Sequence, residues 1–258
     1  MINKHHMSSL RNNAAIRGLT LIEMALVLAI LGVLAGVGIQ MTSSQMEQRN
    51  YTSTQGKLDT IETALRLHIE TFKTLPCPAQ GILALHDAMY GIEDCHTFEL
   101  SVDNIIFGVI PTRTLNLPDS YMTDGWGRRI GYAVDSRFTN GDYFDNLEGE
   151  ISVYDRAPNE RTNQQTIEGN PVRAVYLVIS YGSNGLGAWQ FGGGQKITSP
   201  VTGPYEEANA HLSELFDSIF LDDIPHKVGD PELYFDDIVR WKVRYHLPAT
   251  GQTVVLVE

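Results

Sequence analysis

Between Leu19 and Ile39 the chain reads LTLIEMALVLAILGVLAGVGI, twenty-one residues that carry a single charge, Glu23. As a helix this run would be roughly 30 Å long, enough to cross the hydrocarbon core of a bilayer. No second run in the sequence has that property, so this one dictates the organisation of what lies on either side. The eighteen residues before it contain Lys4, Arg11 and Arg17 and no acid. The positive-inside bias therefore predicts a cytoplasmic N-terminus and an exported remainder. A secretory signal peptide would have a shorter apolar core, no carboxylate in it and a small-residue cleavage site after it. A plain signal anchor matches the length but gives no reason for Glu23, because an acid near the apolar core costs about 2.5–3.5 kcal/mol on the insertion scale.

The string Arg17-Gly18-Leu19-Thr20-Leu21-Ile22-Glu23, running directly into the apolar segment, resembles the class III signal of type IV pilins and type II secretion pseudopilins. The resemblance implies that a prepilin peptidase cuts between Gly18 and Leu19 and methylates the new amine of Leu19. It also implies an assembly role for Glu23, whose carboxylate would meet the N-terminal amine of a neighbouring subunit and set the axial register of a filament. The physics agrees, since cleavage creates a positive amine and an unpaired carboxylate in lipid is costly, so each charge is best neutralised by another subunit. The implied location is the bacterial inner membrane, crossed once with the head in the periplasm, and then a pilus or pseudopilus filament. The implied partners are the prepilin peptidase, other pilin or pseudopilin subunits, the inner-membrane assembly platform and the membrane itself. Two positions depart from the family pattern: Leu19 stands where Phe is usual, and Gln40 where proline is common. Gly32, Gly36 and Gly38 would loosen the helix instead, at about 1 kcal/mol per helical position, and Gly32 with Gly36 makes a small-xxx-small pair. Glycines are also simply frequent in membrane helices.

Downstream, Leu58, Ile61, Leu65, Ile69 and Phe72 recur at three- and four-residue steps, which predicts an amphipathic stem packed on a sheet. No proline interrupts the chain from Leu19 through Leu75, and Pro76 and Pro78 then end the helix. The expected fold is α+β and pilin-like: a leader over 1–18, one long transmembrane and stem helix over 19–75, and an exported head with an antiparallel sheet over 76–258. Val239 to Leu247 alternates apolar residues with Arg240, Lys242, Arg244 and His246, predicting a strand with one buried face and one wet, basic face. In a filament that stripe would either dock on a neighbour's acids, such as Asp222 and Asp223, or remain solvated. Arg129–Val134, Val172–Ser180 and Thr253–Val257 are further expected strands. Pro204–Phe220 carries Ala208, Leu212, Leu215 and Ile219 at helical spacing, and Asn140–Thr166 reads as a polar loop. The turns Asp124-Gly125-Trp126-Gly127 and Ile179-Ser180-Tyr181-Gly182-Ser183-Asn184-Gly185 resemble turn motifs of pseudopilins and minor pilins. Trp126 would plug the core beside the stem or, alternatively, bind a sugar.

Cys77 and Cys95, exported and close to the stem, are expected to form a disulfide worth roughly 3 kcal/mol. The competing metal reading, with His86 and His96, has irregular spacing. Asp217, Asp222, Asp223, Asp236 and Asp237 could ligate calcium, which some major pseudopilins bind near the C-terminus, or form a solvated acidic surface. Leu247-Pro248-Ala249-Thr250-Gly251 matches a sortase signal, but no apolar span or basic tail follows it. No phosphate-binding loop, nucleophile elbow or HExxH zinc motif occurs, so no catalytic residues and no cofactor beyond calcium are expected. With 19 basic against 31 acidic residues the net charge is −12, which opposes nucleic-acid binding. The expected function is that of a structural subunit, a minor pilin or pseudopilin, and not an enzyme. The alternative is an exported enzyme or binding protein tethered by an uncleaved anchor.

Overall fold

A computed structural model describes residues 20–96, 104–140, 148–157, 161–162, 166–167, 170–199, 203–211, 218–227 and 231–244, with side chains omitted at 34–43, 166–167, 170–171 and 231. The leader 1–18, Gly18, Leu19, Asp217, His246 and the expected strand Thr253–Val257 lie outside the described residues. The chain divides into two compact units, Met1–Met46 and Glu47–Glu258.

Helix α1 runs Leu21–Phe72. In the first unit its apolar side chains are exposed, Leu21 at 89% and Val33 at 68%. Among the described residues no helix is long and apolar enough to cross a membrane; the span expected over 19–39 includes Leu19 and the side chains of 34–39, which are not described. In the second unit Leu58, Ile61, Leu65 and Ile69 are all buried in one core, as their spacing predicts. Phe72 is the exception, 63% exposed and tilted against His68 with ring centroids 4.6 Å apart. The helix stops three residues before the expected Leu75 because Lys73 turns left-handed, φ 58°, while its N–H still donates to Ile69 O at 2.8 Å. The left-handed exit, rather than the prolines, terminates it.

The head is built on a four-stranded antiparallel sheet in the order β1-β2-β6-β8. Its strands are β1 (Ile105–Val109), β2 (Gly131–Asp135), β6 (Ala174–Ser180) and β8 (Ile238–Val243). Between β2 and β6 lie three short strands, β3 (Ser152–Tyr154), β4 (Thr166–Ile167) and β5 (Asn170–Pro171). Between β6 and β8 the chain inserts helix α2 (Pro204–Ala210) and strand β7 (Ile219–Leu221). The class is therefore α+β. Alternation along the strands sends Ile106, Tyr132, Val134, Tyr176, Val178 and Ile238 to the stem. Ile105, Ala133, Leu177, Ile179 and Val239 pack instead with Ile151, Val153 and Phe220. Val153 and Phe220 come from a second layer in which β3 pairs parallel with β7, and Ile151, just ahead of β3, bridges Ala174 of β6. With both faces covered, β2 and β6 are buried at every position.

Several expectations are corrected by this layering. The basic side of β8 is not a wet face: Arg240 donates to Gln55 on the stem and lies 3.5 Å from Asp59, while Lys242 lies 3.7 Å from Glu62. Arg240 and Lys242, placed beside an acidic helix of their own chain, are paired there, and Arg244 is buried. Asn140–Thr166 is not wholly loop, since it contributes β3. The helix expected over Pro204–Phe220 ends at Ala210, where His211 adopts φ 45° and packs its ring on Phe220 at 4.7 Å. Ile219, expected on that helix, begins β7; Leu212 and Leu215 lie outside the described residues.

Candidate functional site

Glu23 sits in the first turn of α1 and is exposed. Its Oε2 accepts from the backbone N–H of Thr20 at 2.8 Å and from Thr20 Oγ1 at 2.9 Å, and its own N–H donates to Thr20 Oγ1 at 3.4 Å. This is a reciprocal capping box, Thr-x-x-Glu, which satisfies orphan donors at a helix start. The sequence carries that signal at Thr20–Glu23, yet the reading of Glu23 as an acid without a local purpose passed over it.

Cys77 and Cys95 are joined by a disulfide with Cα atoms 5.3 Å apart. It closes a loop whose ends are also tied by the Cys77 N–H, which donates to Glu93 Oε2 at 2.9 Å, and by the bridge of Ala79 to Glu93. The alternative metal reading fails here because both sulfurs are bonded to each other, and His86 and His96 join no ligand cluster among the described residues.

The two glycine-bearing turns form one network. Asp124 is buried, and its Oδ1 accepts from the N–H groups of Trp126 and Arg128, each at 2.9 Å. Its Oδ2 accepts from Ser180 Oγ, the last residue of β6, at 2.7 Å. Burial pushes this carboxyl above its ordinary range against those hydrogen bonds. Trp126 is partly buried against the stem core, as expected, and its Nε1 donates to Glu47 at 2.9 Å. On the second turn Gly182 has φ 55°, and a Cβ there would fall 2.4 Å from the Asp236 carboxylate. Glycine is thus required both for the left-handed turn and for the approach of Asp236.

Asp236 is the centre of that approach. Its Oδ2 accepts from Ser183 N–H at 2.8 Å, Ser183 Oγ at 2.6 Å, Asn184 N–H at 3.3 Å and Tyr234 OH at 2.9 Å. Its backbone N–H donates to Glu206 Oε1 at 2.6 Å, and Glu206 Oε2 accepts from Asn184 Nδ2 at 2.7 Å. Asp237 Oδ2 accepts from Asn209 Nδ2 at 2.9 Å. Glu206, Asp236 and Asp237 are all buried, and each presents one oxygen to a cluster whose members lie within 4.8 Å of one another. Asp236 Oδ1 and Asp237 Oδ1 are buried without a hydrogen-bond partner. Lys227 Nζ approaches Asp236 Oδ2 no closer than 3.9 Å. Burial, then the charge of Asp236, pushes Glu206 up to about 7. Burial, then the charge of Glu206, holds Asp237 well above the usual carboxylate range.

Of the five aspartates read as calcium candidates, Asp217 lies outside the described residues, and of the other four only Asp236 and Asp237 are brought together. Asp222 accepts from Arg161 Nη1 at 2.5 Å and from Trp241 Nε1 at 3.2 Å, and Asp223 accepts from the Arg156 N–H at 3.0 Å. Those two are engaged by arginines and an indole and belong to no common site with the others. The third acid, Glu206, was not foreseen. Its signal was Glu206 and Asn209 at i, i+3 on a helix otherwise read by its alanines and leucines. Three buried carboxylates, two of them with an unpartnered oxygen, suit a hard, oxygen-liganded cation such as calcium.

No family model, no curated protein and no solved structure matches the chain.

Proposed function

We propose that this chain is a structural subunit, a minor pilin or pseudopilin, of a type IV pilus or type II secretion pseudopilus. The observation that carries the reading is the Gly18-Leu19-x-x-x-Glu23 signal at the head of an apolar run that opens a 52-residue helix. The α+β head supports it, because the second half of that helix lays an apolar stripe on an antiparallel sheet, the arrangement of a pilin stem and head. In this reading the subunit waits in the bacterial inner membrane, crossing once, until prepilin peptidase cuts after Gly18 and methylates Leu19. The assembly platform then raises it into a filament of related subunits through its N-terminal helix. It is a substrate of an enzyme and not itself one.

The test is the intact mass of the membrane-extracted protein. Loss of Met1–Gly18 and gain of one methyl group is the expected result, abolished by Gly18→Val because a bulky side chain obstructs the scissile bond. A full-length mass in cells with an active prepilin peptidase would instead favour a head that works alone on an uncleaved anchor.

The acid cluster adds a second element. Asp236 Oδ1 and Asp237 Oδ1, buried and unpartnered beside Glu206, favour a bound divalent cation, calcium by its preference for carboxylate and carbonyl oxygens. The three acids would hold it and gain neutralisation, and its role would be structural.

A further inference from the structure

Helix α2 is docked by polar groups. At seven residues it is far below the length at which a helix persists on its own in water, so its contacts must hold it. Its buried residues are Glu206, Asn209 and Ala210, of which only the alanine is apolar. Tyr205 adds a cation–π contact with Arg156 at 5.3 Å.

Glu206 meets Asn184 from the turn after β6 and the backbone N–H of Asp236 ahead of β8. Asn209 reaches Asp237 and exchanges hydrogen bonds with the backbone of Leu221 on β7. The C-terminal end is tied separately, by Lys196 Nζ donating to Ala210 O at 3.1 Å and His211 O at 3.2 Å. Every acid in the cluster therefore either belongs to α2 or lies directly across from it.

Like charges this close repel in a buried site, so the same three groups that clasp α2 push it away when ionised and bare. We propose that a divalent cation shared by Glu206, Asp236 and Asp237 is the latch of α2, fastening the inserted helix to the turn after β6 and to the segment entering β8. The inference rests on the cation reading above and adds what the cation controls. Its two conformations are α2 docked and α2 detached at its Glu206–Asn209 side, with Lys196 retaining the other end. Because only the docked state brings all three carboxylates together, binding and docking are linked by mass action.

The experiment is hydrogen exchange of the full-length protein in detergent, in calcium chloride or in EGTA, with calcium binding measured on the same samples by calorimetry. At a calcium concentration about ten times the dissociation constant, amides of 205–210 should exchange about tenfold more slowly than in EGTA. Amides of α1 around Leu58–Ile69 should not change. Glu206→Gln, which keeps the side-chain shape and one of its two acceptor oxygens, should remove the calcium dependence of 205–210. Binding with no change in α2 exchange overturns the latch and leaves the cation reading standing. Absence of binding overturns both. The wild-type comparison alone decides the matter if the variant fails to fold.

Discussion

Gly125 brings the turn after Thr123 against the stem so closely that a Cβ there would lie 2.1 Å from the backbone oxygen of Asn50. The approach is held by the Gly125 N–H, which donates to Thr54 Oγ1 at 2.9 Å, and by Lys57 Nζ, which donates to the carbonyls of Ser120 and Thr123 at 2.9 and 2.6 Å. Since the obstacle is helical backbone, it cannot rotate away. Gly125→Ala should cost about 3 kcal/mol, the upper end for overpacking a close contact, read as a lower midpoint in urea. A midpoint unchanged from wild type would mean the turn can lift off the stem freely. This glycine was visible in the sequence as part of a turn motif, but its purpose was not. A turn glycine permits positive φ in any protein, whereas the need for close approach exists only once residues 50 and 125 are neighbours. The same separation of legible residue from illegible reason applies at the cation cluster. Asp236 and Asp237 stand side by side in the chain, while Glu206 lies thirty residues away on a helix that only the fold brings back.

Elements with strong periodicity were legible: the stem through Leu58–Ile69, β2, β6 and β8 all lie where alternation or helical spacing predicts. The missed strands β3, β4, β5 and β7 are two or three residues long, too short for alternation to show, and β1, reading IIFGV, is a continuous apolar run with no alternation. The error about β8 has a different cause. Alternation reports that two faces differ, and a basic face was read as wet; here it meets a helix whose side chains at 59 and 62 are acidic. The two pairs should differ in worth. Asp59 is 66% exposed at its side chain, so Asp59→Asn should cost under about 1 kcal/mol. Lys242 and Glu62 are 11% and 16% exposed at theirs. Lys242→Met alone should therefore cost about 3 kcal/mol by removing the cation that faces a buried carboxylate, and adding Glu62→Leu should recover most of it. A double-mutant cycle in urea measures both. Costs near zero for both Asp59→Asn and Lys242→Met would show that neither ion pair holds β8 to the stem.

For the molecule as a whole the central question is what Glu23 is for, and the capping box sharpens it. Two purposes compete for one carboxylate. As a cap it serves its own helix by accepting from Thr20, a contribution of about 1 kcal/mol that a glutamine supplies as well. As an assembly group it must be negative, because its partner is the positive amine that cleavage creates on Leu19 of another subunit, and glutamine offers no charge for that. In the proposed reading, cleavage would also remove Lys4, Arg11 and Arg17 and no acid and leave the processed chain more acidic than −12, so heads would repel at long range and the attraction that orders them would have to come from a short-range pair away from water. Glu23→Gln and Glu23→Ala therefore separate the two purposes. Both variants should insert in the membrane and be processed, since loss of a charge eases insertion, and both should lose subunit cross-linking in intact cells to a similar degree, at least tenfold. If glutamine cross-links like wild type while alanine does not, the cap is what assembly requires and the charge pairing is wrong. If both cross-link like wild type, Glu23 has no part in assembly and the filament reading loses the residue on which its mechanism depends.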